Sequence, residues 1–554
     1  MELTGAQIIV ESLIDQGVQV VFGYPGGTVI NIYDALYDKQ DQIRHILTSH
    51  EQGAAHAADG YSRSTGKTGV CLATSGPGAT NLVTGLATAY LDSIPLVAIT
   101  GNVTQDMLGR DSFQEVDIVG VTIPIIKHNY FVNDITKLAE IIREAFVIAN
   151  SGRPGPVLID IPKDITAIKA EYVPAGRFQK RAIPDPDPTD LALAADMIRE
   201  SKRPLVYFGG GVVSGNAGEA LQAFCRKLCI PSTSSAMGLS AVPYNFPYYL
   251  GLVGMHGTPV ANQATLLCDL IITVGARFSD RVTGNKSKFI PEAKVLHIDI
   301  DASEVNKNIL AHHGVAGDAR VVLEKLTAAL DPSDDTSWGD ELMAYKAAHP
   351  LPKETIADAV DPRAILEVIR KMDENTIIVT DVGQHQMITA QNYKFSRPRS
   401  FISSCGLGTM GYGVGAANGA QVGNPGSRVA LITGDGCFHM NLNELAVAVT
   451  EKLPIMIFIM HNGVLGMVRQ WQKLFYKQRY SSTTLHRETD FVKIAEAFGA
   501  TGMRIETPGQ IDDVVKAAYE AGGPVVVDCI INEDDDVFPI IPPGGSVKDM
   551  IRER

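Results

Sequence analysis

Between Gly434 and Gly463 the chain reads GDGCFHMNLNELAVAVTEKLPIMIFIMHNG, and no other stretch restricts the fold as tightly. An apolar run, Val429 to Thr433, ends at a glycine and an aspartate; a second, Leu453 to Met460, ends at His461 and Asn462. Between them, Asn441 to Lys452 carries Leu442, Leu445 and Val449 at helical spacing. The pattern predicts strand, turn, helix and strand, with Asp435 and Asn462 at the carboxyl ends of two strands. Ligands collect at those ends of a parallel sheet. A carboxylate plus an amide oxygen suits a hard divalent cation and leaves room for a diphosphate and water. Gly434 and Gly436 let the backbone approach phosphates with no side chain in the way. An ordinary sheet rim with one acid and one amide has the same spacing, so the pattern alone leaves both readings open.

The rest of the chain repeats this alternation. Val18 to Phe22 reads as a strand opening into Gly23-Tyr-Pro25-Gly26-Gly27, followed by a helix through Leu36 and a strand from Ile43 to Leu47. Ser49-His-Glu51 then leads into a small-residue helix, Gln52 to Ser62. Strand Gly69 to Ala73, turn Ser75-Gly-Pro-Gly78, helix Thr80 to Tyr90 and strands Pro95 to Ile99 and Val157 to Ile161 complete a doubly wound parallel pattern. The proline-rich segment 174–188 reads as a linker. Beyond it, helix Thr189 to Glu200, strand Leu205 to Phe208, Gly209-Gly210-Gly211 and strands Leu270 to Val274 and Lys294 to Ile298 are Rossmann-like. GGG is not G-x-G-x-x-G, so this unit either binds a nucleotide or is a structural relic. Residues 338–359 form a second, poorly patterned helical linker. Strand Thr376 to Thr380 then runs into Asp381-Val-Gly-Gln384-His385-Gln386. The boundaries that follow are an amino-terminal domain at 1–173, a central domain at 189–337, a carboxyl-terminal domain at 360–533 and a tail at 534–554.

With 554 residues, 45% hydrophobic and 20% charged, the chain has material for several buried sheets. A formal net charge of -14 and the lack of a basic stripe interleaved with aromatics argue against a nucleic-acid surface. Apolar runs break well before 18 residues, so no membrane span is expected. MELTGAQIIVESLIDQG reads as an amphipathic helix ending at Gly17, without a basic leader. Seven cysteines, odd in number and without C-x-x-C spacing, point to a reducing cytoplasm.

Three segments together carry a family resemblance: GDG followed at this interval by Asn462, HEQGAAHAADGYSR at 50–63, and GARFSDRVTG at 275–284. They resemble the thiamine-diphosphate enzymes that include acetohydroxyacid synthase, pyruvate oxidase and pyruvate decarboxylase, and within them the FAD-containing biosynthetic acetohydroxyacid (acetolactate) synthases. The match runs almost end to end. It implies an α/β fold of three doubly wound parallel-sheet domains, the central one Rossmann-like. It implies a Mg2+ ion on Asp435, Asn462 and the carbonyl of Val464. Glu51 becomes the carboxylate that bonds N1' of the cofactor's aminopyrimidine, with Pro25, Gly26, Gln384, His385, Gly408, Gly434 and Gly436 around the cofactor and Met410 as the wedge that bends it. Gly27, Gln114 and Lys163 join the catalytic set, Gln114 as donor to a developing oxyanion and Lys163 near the entrance. Phe113, Met255, Arg281, Met467 and Trp471 line the substrate pocket, and Gly209 to Gly211, His256, Arg277, Asp299 and Asp318 face the flavin.

The sequence departs from the family pattern at His461, where a second asparagine is usual, at Ser279 for aspartate, and at Ile388 for tryptophan. The reaction implied is decarboxylation of pyruvate and condensation with pyruvate or 2-ketobutyrate, with FAD present but carrying no net electrons. A flavin-dependent pyruvate oxidase and a flavin-free catabolic acetolactate synthase are the alternatives. The implied assembly is a homodimer or dimer of dimers with sites completed across the interface, with a small regulatory subunit as a further partner. The tail, containing VFPIIPPGGS, resembles a segment that covers the active site; its composition alone reads as disordered.

Overall fold

The computed structural model describes residues 1–290, 292–352, 356 and 358–553. Part of the 338–359 linker therefore lies outside the described residues; before it, Ser337–Ala348 is a helix.

Among the described residues, three six-stranded sheets, each parallel throughout, and one antiparallel pair, Glu2–Thr4 with Lys169–Glu171, form the molecule. Across the first, the strands run Arg44–Leu47, Val20–Gly23, Gly69–Ala73, Leu96–Asn102, Pro156–Pro162 and His128–Phe131. Across the third they run Phe401–Ser403, Ile377–Thr380, Val429–Gly434, Ile455–His461, Val525–Ile530 and Thr501–Ile505. These two sheets have the same topology. The central sheet instead runs Tyr249–Leu252, Ser232–Ser234, Pro204–Phe208, Leu270–Val274, Lys294–Asp299 and His313–Ala316, the order of dinucleotide-binding folds. The inner strands are apolar on both faces because helices cover both sides; Val429–Gly434 and Leu96–Asn102 are buried at every position.

The opening segment differs from its sequence reading at one point. The helix does not wait for Asn441: α3 (Asp435–Asn441) starts directly at the aspartate, and a 3₁₀ turn, Leu442–Glu444, hands over to Leu445–Thr450. Thr80 to Tyr90 is likewise two helices, Pro77–Asn81 and Val83–Asp92, meeting at Leu82. The short edge strands His128–Phe131, His313–Ala316 and Phe401–Ser403 carry too little apolar alternation to announce themselves. Ile388, at the tryptophan position, is buried in the carboxyl-terminal core. The tail is packed rather than loose: Val537, Phe538, Ile540 and Ile541 are buried.

Helices α1 (Glu51–Thr65) and α2 (Gly413–Gly423) follow the equivalent edge strands of the first and third sheets and lie against each other. His50 caps α1 by accepting from the Gln52 N–H at 3.1 Å, and Gly66 ends it in the left-handed region at φ 74°. The contact face is made of glycine and alanine. A Cβ on Gly419 would lie 1.8 Å from the Ala57 carbonyl oxygen, and one on Gly60 would lie 2.1 Å from that of Ala416. Neither backbone oxygen can move aside, so one methyl separates the helices. Gly60→Ala is expected to lower stability by about 1–3 kcal/mol, read as an earlier urea midpoint. Gly509→Ala, where nothing lies within 4 Å, is the control and should leave the midpoint in place.

Candidate active site

In the third sheet, Val429–Gly434 and Ile455–His461 pair in parallel, with Gly434 opposite Met460. The register delivers Asp435 and Asn462 to the same rim. Asp435 is 4% exposed, and its Oδ2 accepts the Gly463 N–H at 3.0 Å. Burial pushes its carboxyl up, opposed chiefly by His461. Asn462 Oδ1 accepts the Val464 N–H at 3.2 Å. Val464 forms an isolated antiparallel bridge with Thr484, whose hydrogen bonds run through the Gly463 carbonyl and the Leu465 N–H. The Val464 carbonyl is thus left out of the ladder. Among the described residues no cluster of three or more His, Cys, Asp or Glu could hold a metal. One carboxylate, one amide and one carbonyl is nonetheless the mixed oxygen set of a hard cation, and a cation there offsets the burial of Asp435.

The surroundings admit backbone but no side chain at three glycines. A Cβ on Gly434 would sit 3.2 Å from the His385 ring, one on Gly436 would sit 2.9 Å from Leu465, and one on Gly466 would sit 1.9 Å from Gln384 Oε1. His385 is held neutral by burial, its pKa pushed down to about 4, and its Nε2 is buried with no partner. A buried ring nitrogen without a partner calls for a polar ligand group beside it. Gly408 stands in the left-handed region at φ 73°, and the Met410 methyl lies 3.9 Å from the Cβ position of Gly436. These residues fit a metal-bound diphosphate.

The second group lies at the equivalent end of the first sheet. Glu51 opens α1, is 9% exposed, and accepts from Asn81 Nδ2 at 2.9 Å through Oε2. Its Oε1 is 3.2 Å from the Cβ position of Gly78. Gly26 faces Thr74, and the turn is tied by Thr28 Oγ1, which pairs with Thr74 Oγ1 at 2.9 Å and accepts the Ser75 N–H at 3.1 Å. Gln114, at φ 60°, places its backbone 2.9 Å from the Cβ position of Gly76. Pro25, Gly27 and Lys163 are exposed, as is Phe113 at 88%. Among the described residues no hydrogen bond joins Glu51 to Asp435 or Asn462.

A third group spans the central and last domains. The Arg281 guanidinium reaches the Met255 sulfur at 3.7 Å and sits 5.9 Å from the centroid of the Trp471 ring. Trp471 and Met467 share α4 (Gly466–Phe475), and Met467 packs toward the core. The tail closes on this group: the Ile541 N–H donates to the Met255 carbonyl at 2.9 Å, and His256 Nδ1 is 3.3 Å from the Pro539 carbonyl oxygen.

Gly209 and Gly211 press on Gly275 at the end of the first central strand, with contacts of 2.4 and 2.6 Å to their Cβ positions. Asp299 ends the strand paired with Leu270–Val274 and accepts the Asp301 N–H at 2.9 Å, while Asp318 caps Ala319–Ala329. Arg277 lies on the Gly275 turn and offers its carbonyl to Asn308 Nδ2 at 3.0 Å. A small cleft at the three-domain junction has Gly210, Met237, Arg63, Asp92 and Cys405 among its walls.

Sequence models agree with this division. The Thiamine pyrophosphate enzyme N-terminal TPP binding domain matches residues 3–121, the central domain 191–326 and the C-terminal TPP binding domain 381–529. The chain is 45% identical over 552 residues to the acetolactate synthase isozyme 2 large subunit of Escherichia coli (strain K12), covering all of both chains. It is 44% identical over 569 residues to a probable acetolactate synthase large subunit of Methanocaldococcus jannaschii, covering 99% of this chain and 95% of the relative. It is also 44% identical over 561 residues to an acetolactate synthase of Mycobacterium bovis, covering 98% and 91%. The chain belongs to the acetolactate synthase large-subunit family.

Within this family member, sequence reasoning passed over Glu444, although it lies in the opening segment. The residue is fully buried, receives the Ser49 N–H at 3.2 Å through Oε1, and fills the space above Gly53 at the start of α1. Its Oε2 has no partner. Burial pushes its pKa up to about 8, and Glu51 adds to the rise. No spacing in the sequence joins positions 444 and 51; only the packing of the two domains does. The folded chain therefore keeps a proton on Glu444 that the unfolded chain loses near the ordinary carboxylate value. Its contribution is intact at low pH and lost as pH climbs from about 4.5 toward 8. Glu444→Gln removes that ionisation. Thermal midpoints of the apoprotein between pH 5 and 8.5 are expected to fall less steeply in the variant than in the parent.

Proposed function

We propose that this chain is the catalytic large subunit of an acetolactate synthase. It decarboxylates pyruvate on thiamine diphosphate and joins the two-carbon fragment to a second 2-keto acid. The product is 2-acetolactate from pyruvate, or 2-aceto-2-hydroxybutyrate from 2-ketobutyrate, in branched-chain amino-acid biosynthesis. The observation that carries the reading is the rim where Asp435, bonded to the Gly463 N–H, is flanked by Gly434 and Gly436 and by the His385 ring, whose Nε2 has no partner. When bound, thiamine diphosphate supplies a nucleophilic ring carbon and the electron sink that no side chain provides.

Each residue then has a task. Asp435, Asn462 and the Val464 carbonyl hold Mg2+, and Gln384, His385, Gly434 and Gly436 receive the diphosphate. Gly408 and Met410 support the pyrimidine end, with Pro25, Gly26 and Gly27 opposite. Glu51 holds and returns the proton at N1' of the aminopyrimidine. Gln114 donates to the oxygen where negative charge develops. Phe113, Met255, Met467 and Trp471 enclose the keto acids, Arg281 meets their carboxylate, and Lys163 stands at the entrance. An apolar wall separates pyruvate from 2-ketobutyrate by only ~1–3 kcal/mol, and the indole of Trp471 is the surface placed to do so.

FAD is assigned to Gly209, Gly210, Gly211, His256, Arg277, Asp299 and Asp318, beside the three-domain cleft, in a role without net electron transfer. Aerobic turnover with pyruvate should yield acetolactate while the bound flavin stays oxidised at 450 nm or thereabouts, roughly the flavin band. Acetate formation with flavin bleaching in step would make the chain an oxidase.

A homodimer is the minimal assembly, and a dimer of dimers or a small regulatory subunit extends it. Two features support it: Glu51 makes no bond to the metal residues of its own chain, and exposed apolar side chains flank both groups. Tyr24, Leu47 and Phe113 lie on one side, Leu407 and Met440 on the other. Seven unpaired cysteines fit a cytoplasmic setting, and among the described residues no helix is long and apolar enough to cross a membrane. A hybrid of Glu51→Gln and Asp435→Ala chains should retain one working site in two. Complete loss in that hybrid would place each site within one chain.

A further inference from the structure

Two acidic residues and one arginine of the amino-terminal third have no part in the chemistry above. They nonetheless hold the loop that carries Gly408 and Met410. Residues 404–412 run from strand Phe401–Ser403 to α2, and Gly406, Leu407 and Gly408 are exposed. Gly408 and Gly411 both have positive φ, 73° and 82°. A stretch so rich in glycine has little in its own sequence to fix its path.

Its path is fixed from α1 and the helix Val83–Asp92. Arg63 Nη1 donates to the Ser403 carbonyl at 2.9 Å. Asp92 accepts two consecutive backbone N–H groups, Cys405 on Oδ2 at 3.1 Å and Gly406 on Oδ1 at 2.8 Å. The Thr88 and Thr409 hydroxyls pair at 2.8 Å. The Tyr412 hydroxyl donates to Asp59 Oδ1 at 2.6 Å. Arg63 joins these points, with Nε on Asp59 at 2.6 Å and Nη2 on Asp92 at 2.9 Å. Arg63 is 7% exposed, Asp92 6%, and Asp59 and Tyr412 not at all. Apolar side chains of similar volume would stabilise such a contact at least as well, so a buried ion network is a weak device for stability. What it adds here is directional hydrogen bonding to four sites between 403 and 412, and Thr88 holds a fifth at Thr409.

We propose that Asp92, tied by Arg63, is a positioning residue that sets Gly408 and Met410 against the metal segment and thereby sets the conformation of the bound cofactor. It acts through Met410 and touches no substrate. The proposal rests on the assignment of Met410 to the cofactor.

The test is a double-mutant cycle between Asp92→Asn and Met410→Ala. The amide keeps the shape of Asp92 but turns an NH2 toward a backbone N–H. Two readouts are taken with Mg2+ saturating: thiamine diphosphate affinity from quenching of intrinsic fluorescence, and H/D exchange at cofactor C2 by NMR. Each single variant is expected to weaken binding and slow exchange about tenfold or more, and the double variant to be no worse than the poorer single within about twofold. Effects that multiply would overturn the proposal, as would unchanged affinity and exchange with only a lower unfolding midpoint. If Asp92→Asn does not fold, Thr88→Val enters the same cycle with the same criteria. A silent Met410→Ala removes Met410 from the cofactor and the proposal with it. A parent chain that binds no thiamine diphosphate defeats the functional reading itself, whereas multiplying effects in a chain that binds it defeat only the clamp.

Discussion

Close contact between α1 and α2 is the constraint on which the rest of the molecule depends. Each helix follows the same edge position of two sheets that share one topology, so their contact joins two copies of one architectural unit face to face. Glycine and alanine bring the backbones so near that a carbonyl oxygen fills the space of a missing Cβ. Packing at that distance cannot be adjusted by rotating a side chain. The positions of Glu51 at one end of α1 and of Asp59 and Arg63 further along it are therefore set together.

Buried polar contacts are then used where shape cannot specify enough. Glu444 reaches across to the first turn of α1, and Arg63 with Asp92 reaches the other way to the Met410 loop. Both sets are buried, and each bonds backbone groups of the opposite domain. A polar group buried without a partner is expensive, so these contacts permit one relative placement of the domains and penalise its neighbours. His385 Nε2 instead lies buried with no partner, its ring against the Gly434 turn.

Much of the chemistry was legible because parallel α/β sheets put chemistry at strand ends, and strand ends are written locally. The run into GDG and the run into HNG needed only hydrophobic pattern and glycine to be placed on one rim, and the register of Gly434 with Met460 does place them there. The start of α3 at Asp435 was misjudged because its first turn, DGCFHMN, is rich in residues that usually mark loops. Short edge strands were missed for a related reason: three or four residues hold too few alternations to exceed the background. The tail composition suggested disorder, yet its apolar residues are buried against the central and last domains, a gain invisible until those surfaces exist.

The sequence by itself determined the strand-end placement of Asp435 and Asn462, the three-unit α/β plan and the family, because strands, helices and motifs are each written in short consecutive stretches. Tertiary structure alone decided which distant side chains meet. Met255, Arg281 and Trp471 come from two domains, as do Glu444 and Ser49, and Asp92 and Gly406. No interval in the sequence foretells such pairs, because each forms only once two separately folded sheets pack together, as α1 and α2 do at their glycine and alanine face.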